Sequence, residues 1–596
     1  IELFENAKTF GSLIRVSEDL QKKRPDITKV LEKKKTGDIF EQKDAETVAV
    51  LLKQLEILSK RYDCVVANPP YMGGKVMPVK LKDFAKTQYP ITKSDLFAMF
   101  MERGFEMAKD GIGFTAMITQ QAWMFLSSYE RLRERIVDSV TITTMAHNGF
   151  GAFGADFGTT SFVLLNSKIP NYKGTYISLR EDRNVEDKRD VLLSGKCRFV
   201  ISNSNFKKIP GSPIAYWASD RVRAIFINGA PIENLGEARQ GIIPGNTDAF
   251  LRLWYETDLS KIGFNHCVYD DIFTYKKKWF PYNKGGAFRK WEGNTEHVIN
   301  MENGGHDIMH SGLNNNYRLR EPKLYFKEAI TWSKVSSGSF SARYMPKGTL
   351  FDIAGCCIFE VNENIGYVLS VTNSKVVRCI LTFLSPTLNY EVEHVNKIPI
   401  IFDKKNKDKI TSHAEQNILN SKADWNNYET SWGFLDLPIL RPKYKSADMS
   451  GAYQSYRTLC QQVTATTKNL EEENNRVLID VYGLHDEITP DVPIEEISLF
   501  ANPKYRYKSK LTDVELEMRF QSDTMKELIS YAVGCMMGRY SLDVQGFVYA
   551  HAENKGFDSK KYKTFPADEN GIIPIAEREW FDDDAANHII DFFPQF

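Results

Sequence analysis

The sequence predicts a multidomain α/β chain: a doubly wound sheet over residues 1–170, a connector over 171–230, a mixed α/β domain over 231–400 and a mainly helical domain over 401–596. Three observations predict it. Apolar strands alternate with helical stretches between 62 and 165, the mark of a doubly wound sheet. Composition turns polar near 170, and from 231 short apolar runs stand among Gly, Asn, Trp and Tyr. From 401 long helical patterns return. A length of 596 residues with 42% hydrophobic and 12% aromatic content is enough for several sizeable cores.

In chain order, residues 1 to 60 are charged and helical in composition, with apolar positions around Val48-Ala49-Val50-Leu51-Leu52. The run Tyr62-Asp63-Cys64-Val65-Val66-Ala67 reads as a short buried strand, and Asn68-Pro69-Pro70-Tyr71 must end it, because two prolines cannot continue a ladder. Ser94 can cap a helix carrying Leu96, Phe97, Phe100, Met101, Phe105 and Met107, which Gly111-Ile112-Gly113 ends. A second strand follows at 114–118, a helix at 127–138, and strands at 140–146 and 160–165. The last two flank a glycine-rich loop and read as a closing antiparallel hairpin at the sheet edge. Downstream, one long helix is expected over 450–482 with Gly483 as its C-cap. Another, over 525–540, has Leu528, Ala532 and Met536 on one face.

Lys+Arg and Asp+Glu both number 77, so any nucleic-acid surface must be a local basic patch balanced elsewhere. The eight cysteines form no C-x-x-C pair, which argues against a zinc ribbon or a disulfide framework and makes a reducing cytoplasm the simplest setting. The sequence has no apolar run of about 18 residues and no opening signal peptide, so no membrane partner is expected. The opening at Ile1, inside a helical stretch, reads as a fragment of a longer chain.

Asn68-Pro69-Pro70-Tyr71 carries the most chemistry. A rigid turn after a strand presents an amide, a proline carbonyl and a ring. That trio suits a flat amino-bearing group: the Asn oxygen and the Pro69 carbonyl accept its two N–H bonds and Tyr71 covers its face. In-line attack of that nitrogen on a sulfonium methyl needs no general base, since both acceptors stabilise the charge that develops. The alternative is an Asx-Pro turn that merely closes a strand.

The order strand–Asn68-Pro69-Pro70-Tyr71, the Asp95-Leu96-Phe97-x-x-Phe100 helix start, a Gly-Phe-x-x-Met-Ile strand and a terminal hairpin resembles the N6-adenine DNA methyltransferases of the gamma arrangement. Phe4-x-Asn6-Ala7-Lys8-Thr9-Phe10-Gly11-Ser12-Leu13-Ile14 is similar to the sequence upstream of the catalytic motif in the PglX family of BREX phage-defence systems. The stretches Trp425-x-x-Tyr428-Glu429-Thr430-Ser431-Trp432 and 529–540 are similar to that family's C-terminal region. The resemblance implies a Rossmann-like class I methyltransferase sheet, S-adenosyl-L-methionine as cofactor, and double-stranded DNA and other BREX proteins as partners. It implies that Asn68, Pro69, Pro70 and Tyr71 are catalytic, with Tyr71 stacking on a flipped adenine. A second aromatic would face the base, Phe153 by position and Phe157 as fallback. Asn68, Pro70, Leu96 and Phe100 would border the cofactor, although helix core is an equal reading of the last two.

The family's glycine-rich cofactor loop is not found in residues 1–67, so the sheet is expected to be partial and the isolated chain a poor binder of cofactor. Gly149-x-Gly151-x-x-Gly154 fails as a dinucleotide site because a strand follows it. Residues 231–400 resemble the recognition domain of these enzymes and of type IIG proteins. Within them Lys276, Lys277, Lys278, Arg289, Lys290 and Trp291 interleave cations with aromatics and suit DNA contact. His306-x-x-x-His310 lacks a third ligand, and Asp38, Glu41 and Lys43 read as a solvated face, so neither metal nor nuclease is expected. Competing readings are a non-catalytic DNA-recognition module and a type IIG restriction-modification enzyme.

Overall fold

The structure is a computed structural model that describes residues 2–34, 36, 38–154, 156–180, 185–264, 266, 268–313, 316–336, 338–385, 389–444, 446, 448–508, 510–549, 556–568, 571–576 and 584–593. It divides into two compact units, Ile1–Ile227 with Phe383–Pro386, and Asn228–Thr382 with Thr387–Phe596.

In the first unit short helical turns over 2–13 precede two helices packed on each other, Glu18–Lys34 and Ile39–Ser59. A six-stranded sheet follows: β1 (Cys64–Ala67), β2 (Phe114–Gln120), β3 (Thr141–Gly149), β4 (Thr159–Leu165), β5 (Lys173–Ser178) and β6 (Arg198–Ser202). Their spatial order is β1-β2-β4-β3-β5-β6. β1 runs parallel to β2 and β5 parallel to β3, whereas β4 is antiparallel to both of its neighbours and β6 to β5. The hairpin of β3 and β4 therefore lies inside the sheet and does not form its edge, and residues 171–230 extend the sheet instead of only connecting. Their strands escaped periodicity because they are short and commit few large apolar side chains to the core, Tyr176 from β5 and Phe199 and Ile201 from β6.

One face of this sheet is packed. Helix Leu96–Met107 lays Phe97, Ala98, Met101 and Phe105 against Met117, Ile142, Met145, Phe162 and Leu164. The helix is capped by Asp95, not Ser94: the Asp95 carboxylate accepts the Phe97 amide. Val66, Ala116, Ile118, Ala146 and Val163 line an open trough of about 540 Å³ on the sheet, and Val66 is 76% exposed.

The second unit spans both the 231–400 and the 401–596 stretches. It holds two four-stranded sheets, one built on Trp279–Asn283 and His297–Asn300, the other on Ala329–Ser333 and Gly355–Phe359. Long helices follow, including Lys407–Trp425, Met449–Tyr482 and Asp513–Met536. Met449–Tyr482 begins on the Asp448 cap and stops at the left-handed Gly483, as the sequence suggested. The last helix starts twelve residues earlier than expected, on a capping box of Thr512 and Glu515. Among the described residues, no single helix is long and apolar enough to cross a membrane.

Candidate active site

Asn68 stands directly after β1, whose last residue Ala67 pairs with Met117 of β2. Asn68 and Pro70 are exposed, Pro69 is buried and Tyr71 is half-buried. The Tyr71 hydroxyl lies 3.2 Å from Asn68 Oδ1 and 3.2 Å from the Ile118 carbonyl, so its single proton serves one acceptor at a time. Burial first, and the charge of Asp95 next, push that hydroxyl above its ordinary range. Tyr71 is accordingly a donor that orients the carboxamide, not a base.

The turn is held from two sides. Asp95, 8% exposed, accepts the Met72 amide at 3.0 Å and the Phe97 amide at 3.3 Å, tying the residue after Tyr71 to a helix start. The Phe157 ring stands perpendicular to Tyr71 with centroids 5.3 Å apart, and Phe97 lies 6.1 Å away on an edge contact. Phe157, the fallback for the second aromatic, therefore lies against Tyr71, while the side chain of Phe153 lies outside the described residues. The Gln121 amide donates to the carbonyl of Gly158, the residue after Phe157. Gln121 Oε1 is in turn 2.7 Å from Nε2 of His147, whose Nδ1 is 3.2 Å from the Tyr216 hydroxyl. Burial, then the cations Arg180 and Lys188, push His147 down to about 3, so the imidazole is neutral. With a carbonyl oxygen at Nε2, the tautomer that fits donates there and accepts from Tyr216.

Other expected site residues fall differently. Leu96 is 7% exposed and packs with Leu13, Met77, Leu81, Tyr89 and Met99, as its helix-core reading expects. Phe100 lies half-buried at the margin of the same cluster. Gly149 at the end of β3 and Gly151 and Gly154 beyond it all have positive φ on the way to β4, which makes that stretch a hairpin loop. Lys276 is exposed at φ +48°, and Lys277 and Lys278 are half-buried, Lys277 donating to the Ser260 carbonyl. Arg289, Lys290 and Trp291 do not face solvent, contrary to the DNA-contact expectation. Arg289 is fully buried on Asp424 at 3.0 Å, and Lys290 and the Trp291 indole both donate to Glu471. Asp424 also accepts the Phe500 and Ala501 amides. Desolvating these charges is tolerable only because each is paired, which is why an alternation of cations and rings here signals an interior lock. No group of three or more His, Cys, Asp or Glu positioned for a metal occurs among the described residues.

The sequence did not reveal Asp95 as the anchor of the turn, although an acidic residue directly before an apolar helix is a readable cap signal. Nothing in the sequence pointed to the Ile118 carbonyl or to the Gln121–His147 pair, since both depend on strand register.

Residues 5–153 match the Eco57I restriction-modification methylase family. The chain is 41% identical over 607 residues to the adenine-specific methyltransferase BrxX of Escherichia coli O9:H4 (strain HS), covering 99% of this chain and 48% of that protein. It is 36% identical over 605 residues to the adenine-specific methyltransferase PglX of Lacticaseibacillus casei (strain Zhang), covering 98% and 48%. The chain therefore spans about half the length of the curated relatives it matches. Among solved structures, the type IIL restriction-modification enzyme MmeI in complex with DNA aligns with a TM-score of 0.43 at 12% identity, over 76% of this chain and 58% of that one.

Proposed function

We propose, for a chain homologous along nearly its whole length to the adenine-specific methyltransferases BrxX and PglX, that it is the catalytic and recognition part of a cytoplasmic adenine-N6 DNA methyltransferase acting with partner proteins in BREX-type phage defence. The first unit would then be the later half of a class I methyltransferase sheet. The observation that carries the reading is the exposed Asn68 carboxamide at the end of β1, oriented by Tyr71 and flanked by Phe157.

Duplex adenine keeps N6 inside the stack, so the base must be extruded to reach Asn68. Tyr71 and Phe157 offer rings for the extruded base, at about 1–3 kcal/mol of stacking per base. The Asn68 Oδ1 and the Pro69 carbonyl accept the two N6–H bonds as the nitrogen lone pair is committed and positive charge grows there. The proton leaves to water once the new N–C bond has formed. S-adenosylmethionine, when bound, supplies an electrophilic methyl on a sulfonium; Asn68, Pro70 and Phe100 keep surface with which to border it, whereas Leu96 does not. Lys276, Lys277 and Lys278 would contact backbone phosphates.

Asn68→Ala in the full-length protein is expected to lower methylation by at least about 10²-fold, the scale of losing one preorganised polar contact to the transition state, with duplex binding retained. Normal turnover of that variant on duplex DNA overturns the reading.

A further inference from the structure

The loop that carries Phe157 is closed by contacts that the methyl-transfer steps do not use. At its stem, Asn148 Nδ2 donates to Ser161 Oγ at 2.9 Å and lies 3.4 Å from Thr159 Oγ1, which fastens the end of β3 to the start of β4. At its last residue, Gly158 meets Gln121 twice. The Gln121 amide donates to the Gly158 carbonyl at 3.0 Å. A Cβ placed on Gly158 would also stand 2.2–2.5 Å from the Gln121 carboxamide atoms. Glycine at 158 therefore answers to the close approach of that side chain, since its φ is not in the left-handed region.

The carboxamide is oriented from the interior. Strand register sets Gln120 opposite Thr159 and His147 opposite Thr160, so Gln121 and His147 flank the start of β4. His147 and Tyr216 are each 2% exposed, and the rings of Phe125 and Trp217 stand 6.1 and 6.2 Å from the imidazole. With the Tyr216 hydroxyl donating to Nδ1, the imidazole proton sits on Nε2 and Gln121 Oε1 accepts it at 2.7 Å. Phe157 itself is 37% exposed, so burial in the core does not hold its ring against Tyr71.

We propose that Gln121 and His147 are positioning residues for Phe157: Tyr216 sets the imidazole tautomer, His147 orients the Gln121 carboxamide, and Gln121 holds the Phe157–Gly158 backbone so that the ring stands against Tyr71. The inference rests on the reading of Phe157 as a ring that meets the extruded adenine, and it names the residues that aim that ring. Both act through Phe157 and not on the base.

A double-mutant cycle with Phe157→Ala, read as kcat/KM for duplex methylation by the full-length protein, tests it. Gln121→Met keeps the length of the side chain without its acceptor and is expected to lower kcat/KM about tenfold, the scale of one lost hydrogen bond. Gln121→Glu keeps an acceptor for His147 Nε2–H and should restore most of the activity. In a Phe157→Ala background Gln121→Met should cost nothing further, whereas a general loss of stability lowers both backgrounds alike. The fluorine NMR signal of a fluorinated phenylalanine at position 157 reads the ring without DNA; it should move in Gln121→Met and return in Gln121→Glu. Parent-level turnover of Gln121→Met beside an impaired Phe157→Ala, an equal loss in both backgrounds, or an unmoved fluorine signal would each overturn this inference alone. Normal turnover of Asn68→Ala or Phe157→Ala overturns the reading on which it rests, and the inference falls with it.

Discussion

The Asp95 carboxylate receives the Met72 amide at 3.0 Å, so the residue directly after the Asn68–Tyr71 turn is fastened to the start of a buried helix. The turn inherits the rigidity of the packed face of the sheet, which is what an acceptor preorganised for a developing charge requires.

That arrangement separates charge from shape at Asp95. Burial raises its carboxyl above the ordinary range, so the ionised form costs folding free energy as pH rises through the folded pKa. Asp95→Asn keeps an oxygen on both amides without the charge. It should be as stable as the parent or more so at pH 7, an advantage that shrinks toward pH 4 as Asp95 protonates. Asp95→Ala should lose about 1 kcal/mol, the usual scale of a lost cap. Urea unfolding across this pH range checks both outcomes.

His147 gives the opposite pH signature. Its folded pKa of about 3 lies below the unfolded 6.5, so the stability it contributes is complete above pH 6.5 and is lost as pH falls. The loss should approach about 2 kcal/mol by pH 5, at about 1.4 kcal/mol per unit. Thermal unfolding at pH 7 and 5 should show a steeper decline for the parent than for His147→Gln.

Phe157 should matter to the base and not to the fold. In the full-length protein, Phe157→Ala is expected to lower kcat/KM for duplex methylation by about 5- to 150-fold, matching about 1–3 kcal/mol of stacking. Phe157→Trp should restore most of it. Equal activity of Phe157→Ala and the parent would remove this ring from the base pocket.

The two clusters of cations should respond to different assays. Replacing Lys276, Lys277 and Lys278 with Ala should weaken binding to all duplexes and flatten its salt dependence by up to about one slope unit per lost contact. Arg289→Ala should leave that slope alone and destabilise the second unit by about 3–5 kcal/mol, since it strands Asp424 in the interior. Filter binding against salt and calorimetric unfolding separate the two.

Much of this was legible because it is local. The position of the strand before Asn68, the turn at the two prolines and the long helix ending at Gly483 follow from periodicity and backbone chemistry alone, although the strand, expected to be buried, leaves Cys64 and Val66 exposed. What stayed hidden depends on distant pairing. β5 and β6 are short, with β5 held by its register on β3 and β6 by its register on β5. Arg289 was misjudged because spacing cannot say whether a side chain meets solvent or a partner many residues away, here Asp424.

The interior pairs of Arg289 with Asp424 and Lys290 with Glu471 constrain how the 231–400 stretch can be exchanged between homologues. A chimera that imports residues 231–400 alone would seat foreign cations opposite resident carboxylates, and any mismatch would leave an unneutralised charge. Productive transplants should therefore carry the helices bearing Asp424 and Glu471 along with the strands that precede them, so the inheritable module is larger than residues 231–400.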